Sequence, residues 1–324
     1  MIIVTGGAGF IGSNLINSLF NYKEKLVICD YPELVVKKYF KSFHNLEKII
    51  HPSRLFKFIN ENNVSVVFHL GAISSTTYEN YNKIWVNNVL FSTKLWELCS
   101  IKKVRLIYAS SAATYGNGEL GFYDHEDFNF LNKLQAMNVY GWTKNQVDIR
   151  NIFYKTRKKI FPPQWVGIKF FNVYGNNEFH KKNMISVILR SFIQIKKGEQ
   201  INLFKSYKNK YKDGEQKRDF IYVKDCIRAL LWFLENNNIS GLFNLGSGNS
   251  NTFNELVNNV YKNLKKNVNV KYIEMPDKIK KQYQYETQAD LKKLRSVGYK
   301  NDFYSLEEGI KDYIKILENS DAFS

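Results

Sequence analysis

In "NVYGWTK", Tyr140 and Lys144 stand four residues apart, and the helix-forming run "NQVDIRNIFYK" continues from them. On a helix that spacing puts both side chains on one face. A phenol with a pKa of about 10 is a poor base at neutral pH, and poising it near 7 takes roughly 4 kcal/mol. An ammonium about 4 Å away supplies about that much at an effective dielectric of 20. The pair therefore has the makings of a proton-transfer couple, although by themselves such pairs are common on protein surfaces. Ser111, in "YASSAATYG" at the end of an apolar strand, adds a hydroxyl able to bond a reacting oxygen.

A second constellation stands at the start of the chain. "VTGGAGFIGSNL" places Gly6, Gly9 and Gly12 between a strand and a helix that opens on Phe10 and Ile11. Glycine there permits a tight turn and lets backbone N–H groups approach a pyrophosphate. Asp30 ends the next strand about 20 residues on, where an acid binds a ribose hydroxyl. The implied ligand is a nicotinamide dinucleotide, whose oxidised ring would add positive charge near Tyr140. Asp30 would repel a 2′-phosphate and favours NAD, whereas Lys37 and Lys38 would attract one and favour NADP.

These residues need a scaffold. Through "WVGIKFFNVYG", nearly continuous apolar runs such as "KLVICD" and "VSVVFHLGA" alternate with amphipathic helical patterns. That rhythm predicts an α/β fold, a doubly wound parallel Rossmann sheet with helices on both faces. Past about residue 172 the rhythm loosens, and a smaller C-terminal α/β part is expected. The predicted division is a dinucleotide-binding domain over 1–171, with 217–247 returning to it, and a substrate-binding domain formed mainly by 172–216 and 248–324. The lysine-rich "KSYKNKYKDGEQK" reads as a solvated loop.

Composition narrows the function classes. The 324 residues, 44% apolar and 24% charged, suit a soluble globular protein. No apolar run approaches the roughly 20 residues that span a bilayer, and the start "MIIVTGG" reads as a buried strand, so a cytoplasmic protein without a membrane partner is expected. Three cysteines, Cys29, Cys99 and Cys226, lie in apolar segments and read as reduced core thiols. The five histidines lack metal-ligand spacing, so neither metal nor disulfide is expected. The net charge of +17 comes from lysines spread along the whole chain, a solvated basic surface and not a nucleic-acid site.

Together, the glycine turn, "YASSAATYG" and "NVYGWTK" resemble the extended short-chain dehydrogenase/reductase family of nucleotide-sugar enzymes. The resemblance implies Tyr140 as acid/base, Lys144 as its activator and a ribose ligand, and Ser111 as orienter. It also implies that Leu70, Gly71, Ala72, Ile73, Ser74 and Asn87 line the cofactor, with Tyr31, Lys37 and Val173. Dehydrating members carry an Asp-Glu pair where this chain reads "SAATYG", so dehydration is disfavoured.

Within that family, "GAISSTT", "HKKNMIS", "KRDFIYVKD" and "YQYETQADLKKLRSVGY" are similar, in order and nearly end to end, to the branch that epimerises ADP-heptoses at C6 for lipopolysaccharide core synthesis. The likeness implies an ADP-sugar substrate, transient oxidation at C6, and re-reduction by the same tightly bound NADP, with NAD as the alternative, one per subunit. It implies a second acid/base at Lys181, which would also touch the cofactor, with Lys182 standing where the branch has glycine. Substrate contacts fall on Ser111, Asn172, Asn183, Arg190, Phe204, Lys205, Ser206, Arg218 and Tyr283, and a homo-oligomer, a homopentamer, is implied. The chain departs from the pattern over Pro32 to Pro52, in longer stretches at 117–136 and 206–216, and in lacking proline just before "NVYG". The competing readings are a C4 epimerase of UDP-hexoses and a non-catalytic dinucleotide- or RNA-binding relative.

Overall fold

The computed structural model describes residues 1–34, 44–280 and 283–320, with the side chains of 182, 183, 278 and 279 outside the description. Three short runs, "IIVT", "LVIC" and "VVFH", are buried at every position. They need cover on both faces, which a parallel sheet between two helical layers provides. They form β1 (Ile2–Thr5), β2 (Leu26–Cys29) and, after β3 (Leu46–Ile50), β4 (Val66–His69). With β5 (Arg105–Ser111) and β6 (Trp165–Phe170), and with β10 below, they make a parallel sheet in the order β10-β6-β5-β4-β1-β2-β3.

Alternation along each strand feeds two cores. Ile2 and Val4 pack with Leu15 and Ile16 of helix α1 (Phe10–Leu19), whereas Ile3 packs with Leu55 of α2 (Leu55–Glu61), Trp96 of α3 (Phe91–Lys102) and Ile152 of α4 (Val139–Phe153). Order in the sheet reverses at β1, which has β2 on one side and β4 on the other. Ligands of such sheets bind at the carboxyl ends of the strands beside that reversal. The glycine turn after β1 and the "LGAIS" loop after β4 both lie there.

Beyond β6 the chain adds β7 (Asn172–Tyr174), α5 (Val187–Lys196), β8 (Ile201–Phe204), β9 (Lys217–Tyr222), α6 (Val223–Glu235), β10 (Gly241–Leu245), β11 (Ser250–Thr252), α7 (Phe253–Asn263), β12 (Val270–Ile273) and α8 (Leu306–Glu318). The 217–247 stretch divides: β9 joins a small sheet in the order β11-β9-β7, while β10 lies against β6 in the large one. β8 and β12 form a separate parallel pair. The 206–216 stretch carries no helix or strand. Cys29, Cys99 and Cys226 are buried free thiols. Among the described residues no helix is long and apolar enough to cross a membrane.

Candidate active site

The turn after β1 is shaped by close approach. A Cβ placed on Gly12 would sit 2.1 Å from the Gly6 carbonyl oxygen, so no larger residue fits while the turn keeps its shape. α1 begins at Gly9 without a side-chain cap. Its first N–H groups are thereby left for a ligand, and the helix dipole favours an anion. Asp30 accepts from the Ala8 N–H at 2.9 Å and from the Tyr31 N–H at 2.8 Å. A dinucleotide fits this cradle, with its pyrophosphate at the helix end and a ribose at Asp30. Lys37, expected beside that ribose, lies outside the described residues.

One cleft of about 1220 Å³ opens from this turn. Gly6, Gly9, Phe10, Ile11, Gly12, Asp30, Tyr31, the whole Leu70–Ser74 loop, Asn87 and Val173 line it, and so do Ser111, Tyr140, Lys144, Asn172 and Lys181.

Asn138 caps α4 by accepting from the Gly141 N–H at 2.8 Å. A Cβ on Gly141 would stand 2.5 Å from the Ala113 carbonyl oxygen, so this glycine lets the helix press against the turn that follows β5. That contact brings Tyr140 to Ser111. Burial raises the Tyr140 phenol above its ordinary pKa, and the hydrogen bond with Ser111 opposes the rise. Lys144 donates to the Ala109 carbonyl at 2.7 Å, and its Nζ lies 6.0 Å from the centre of the Tyr140 ring. Burial brings the ammonium down to about 8, against the pull of Asp148. Ser111 is thus the group bonded to the phenol, while Lys144 stands on the same face of α4.

Lys181 rides a 3-10 turn, Phe179–Met184. Glu178, buried, anchors it by accepting from the Ser186 hydroxyl at 2.7 Å, the Tyr313 phenol at 3.1 Å and the Gly175 N–H at 3.3 Å. Lys181 Nζ lies 4.7 Å from the centre of the Phe10 ring, over the start of α1. Burial lowers its pKa and Glu178 opposes. Asn183 sits on the same turn, its side chain and that of Lys182 outside the described ones.

The other expected substrate contacts do not all gather here. Phe204, Arg218 and Tyr283 form one cluster: the buried Arg218 guanidinium lies 5.0 Å from the Tyr283 ring and 5.7 Å from that of Phe253, and Phe204 meets Tyr283 edge to face. Phe253 borders the cleft, so the cluster stands behind its wall. Arg190 is exposed on α5. Lys205 pairs at the surface with Glu274 at 2.7 Å, and the Ser206 N–H donates to Asp213 at 2.7 Å.

Sequence reasoning missed Asn88, His69, His180 and Gln284. Asn88 grips Ile73 at both ends, accepting from its N–H at 2.9 Å and donating to its carbonyl at 3.0 Å. It lies in a π-helical turn, Trp85–Leu90, which points it inward while Asn87 faces the cleft; an ordinary helical period hides that division. His69 bridges the Thr5 and Ser92 hydroxyls, each at 2.8 Å. His180 and Gln284 line the cleft, and Gln284 donates to the Gly116 carbonyl. The "HK" pair already quoted could have flagged His180.

Residues 2–246 match the model of the NAD dependent epimerase/dehydratase family. The chain is 41% identical over 341 residues to the ADP-L-glycero-D-manno-heptose-6-epimerase of Fusobacterium nucleatum, covering all of both chains. It is 38% identical to that of Brachyspira hyodysenteriae, covering 100% of this chain and 99% of the other. The crystal structure of the Helicobacter pylori ADP-L-glycero-D-manno-heptose-6-epimerase superposes with a TM-score of 0.76 at 28% identity, over 98% of this chain and 96% of that one. With that match over residues 2–246, the chain belongs to the NAD dependent epimerase/dehydratase family.

Proposed function

We propose that the protein converts ADP-D-glycero-β-D-manno-heptose to ADP-L-glycero-β-D-manno-heptose, inverting C6. The observation that carries this reading is the presence of Tyr140 and Lys181 on the walls of one cleft with the glycine turn. An inversion through a ketone presents the carbonyl in two orientations, and two acid/base groups stand ready to serve them.

A bound nicotinamide dinucleotide, NADP by the resemblance, supplies reversible removal and return of hydrogen at a carbinol carbon. The chain's own residues do the rest. Gly9 to Gly12 and the end of α1 hold the pyrophosphate, Asp30 a ribose hydroxyl, and the Leu70–Ser74 loop the adjoining wall. Tyr140, ionised beside the Lys144 charge, takes the proton of the C6 hydroxyl, and Ser111 holds the oxygen as the carbonyl forms. Lys144 donates to a ribose and lends charge to the phenol. The ketone turns over in the cleft, and Lys181 serves the opposite presentation. Arg218, the diphosphate ligand by the resemblance, lies between two rings behind the cleft wall and would reach the ADP only if that wall opened. The same reading makes the protein a cytoplasmic homo-oligomer, a pentamer by resemblance, in lipopolysaccharide core heptose synthesis.

The test is incubation of the purified chain with ADP-D-glycero-β-D-manno-heptose and stereochemical analysis at C6. Appearance of the L-glycero isomer is expected. Unchanged sugar, with dinucleotide demonstrably bound, would contradict the reading.

A further inference from the structure

Behind the hydroxyl cluster lies a charged pair that the proposed reaction does not use. Lys169 Nζ stands 2.7 Å from Asp148 Oδ2, and both side chains are wholly inaccessible. The Ser110 hydroxyl donates to the same carboxylate oxygen at 2.6 Å, and the Tyr108 phenol to Oδ1 at 3.1 Å. Lys169 also donates to the Thr114 hydroxyl at 2.9 Å. The network thus ties together α4, β5, β6 and the turn Ala112–Tyr115.

Such a pair is a poor investment in stability, because apolar residues of equal volume often do as well or better. Its position suggests a different use. Asp148 follows Lys144 by one helical turn, on the same face of α4. Ser110 is chain neighbour to Ser111, and Thr114 donates to the Ser111 carbonyl at 2.8 Å. The pair is therefore bonded into the same few residues that place the reacting hydroxyls.

We propose that Asp148 and Lys169 are positioning residues for Lys144: the buried pair locks α4 against β5 and the turn next to Ser111, and it sets the Asp148 carboxylate one helical turn from the Lys144 ammonium as its counter-charge. The proposal rests on the epimerase reading only for its catalytic meaning.

The surroundings leave this part to Asp148. From β4, His69 faces Lys144 but is kept neutral, its pKa brought down to about 3 by burial and then by Lys144 itself. From β5, the Tyr108 phenol is held protonated, chiefly by burial. From the turn, Tyr115 is held protonated in the same way, lies 5.0 Å from Lys169 Nζ and donates to Asn244. Glu126 acts on Tyr108 and Asp124 on Tyr115, and neither is among the groups that act on Lys144. On α4 itself, Tyr140 is a neutral phenol raised by burial. Asp148 opposes the burial that pulls the Lys144 ammonium down.

The experiment is an NMR titration of Lys144 in full-length protein made with 13Cε-lysine, its signal assigned by loss in Lys144→Met. The native midpoint should fall near 8. Asp148→Asn removes the counter-charge from the face of α4 that carries Lys144 and leaves Lys169 without its partner, and should lower the midpoint by about one pH unit or more. Asp148→Asn combined with Lys169→Met removes both charges, and its midpoint should lie between those two. Lys169→Arg should keep the native value. If Asp148→Asn alone does not fold, the double variant decides, because its midpoint must still fall below the native one. A midpoint unchanged from native in the variants lacking Asp148 would overturn the proposal. The readout needs no turnover, so absence of the L-glycero product would count against the epimerase reading and leave this one standing.

Discussion

Lys144 Nζ lies 2.7 Å from the Ala109 carbonyl oxygen, which fixes the ammonium of helix α4 to the strand that ends in Ser111. The acid/base tyrosine and its neighbouring charge are thus held by one helix on one strand end. Since burial raises the phenol and Ser111 opposes it, the serine matters for the proton step as well as for holding the carbonyl.

Ser111→Ala should therefore lower kcat by about 10²-fold, the range seen when one donor to a developing oxyanion is removed. Bound dinucleotide should be retained, and Ser111→Thr should recover part of the rate. Steady-state kinetics with cofactor measured after denaturation checks this; a near-native rate in the alanine variant would remove Ser111 from the chemistry.

Gly12→Ala tests the phosphate cradle. The added carbon would meet the Gly6 carbonyl oxygen at 2.1 Å, so the turn must open. Overpacking of this kind costs about 1–3 kcal/mol. Dinucleotide retention, measured by release on denaturation, should drop by about fivefold or more at that cost, and a variant that holds cofactor like the native chain would refute the placement of the pyrophosphate.

Asn88→Ala removes both bonds to Ile73. Leaving the buried partners unsatisfied costs about 1–3 kcal/mol, concentrated in the Leu70–Ser74 loop. Cofactor affinity should fall more in this variant than in Asn87→Ala, although it is Asn87 that lines the cleft. The reverse order, read by titration of the dinucleotide, would contradict the role given to the π-helical turn.

His69 gives a pH signature. Burial, then Lys144, brings its pKa from 6.5 down to about 3, so the unfolded chain takes up a proton first as pH falls. Its contribution to stability is whole above pH 6.5 and is lost between there and about 3. His69→Gln should be less stable than native at pH 7, by about 1–2 kcal/mol for its lost bonds. Near pH 4 the native chain has given up about 3 kcal/mol at this site, so the difference should close or reverse. Urea unfolding across that range checks it; a constant difference would mean that His69 is not held neutral.

Much of the site was readable because its signals are local. "VTGGAGFIG" carries strand, turn and helix start in nine letters, and Tyr140 with Lys144 needs only one turn of helix. The apolar strands likewise announced a sheet buried on both faces. What stayed hidden depends on long-range packing. Lys169, in the middle of "WVGIKFF", looks like an accident in a buried strand until Asp148 meets it. Arg218, Phe204 and Tyr283 come from three separated segments and meet only in the fold. Asn87 was legible, whereas Asn88, which holds the loop from behind, was not, because a π-helical turn breaks the period on which such readings rely. The edge strand Leu46–Ile50 lies in the stretch that matches the family poorly, and its exposed middle weakens the apolar pattern.

The central claim is that C6 is inverted by transient oxidation, with the hydrogen returned to the carbon that lost it. ADP-D-glycero-β-D-manno-heptose carrying deuterium at C6 should yield L-glycero product that keeps the deuterium when the reaction is run in ordinary water. Product in which solvent hydrogen has replaced it would mean that C6 loses a proton to a base and not a hydride, and would contradict the account.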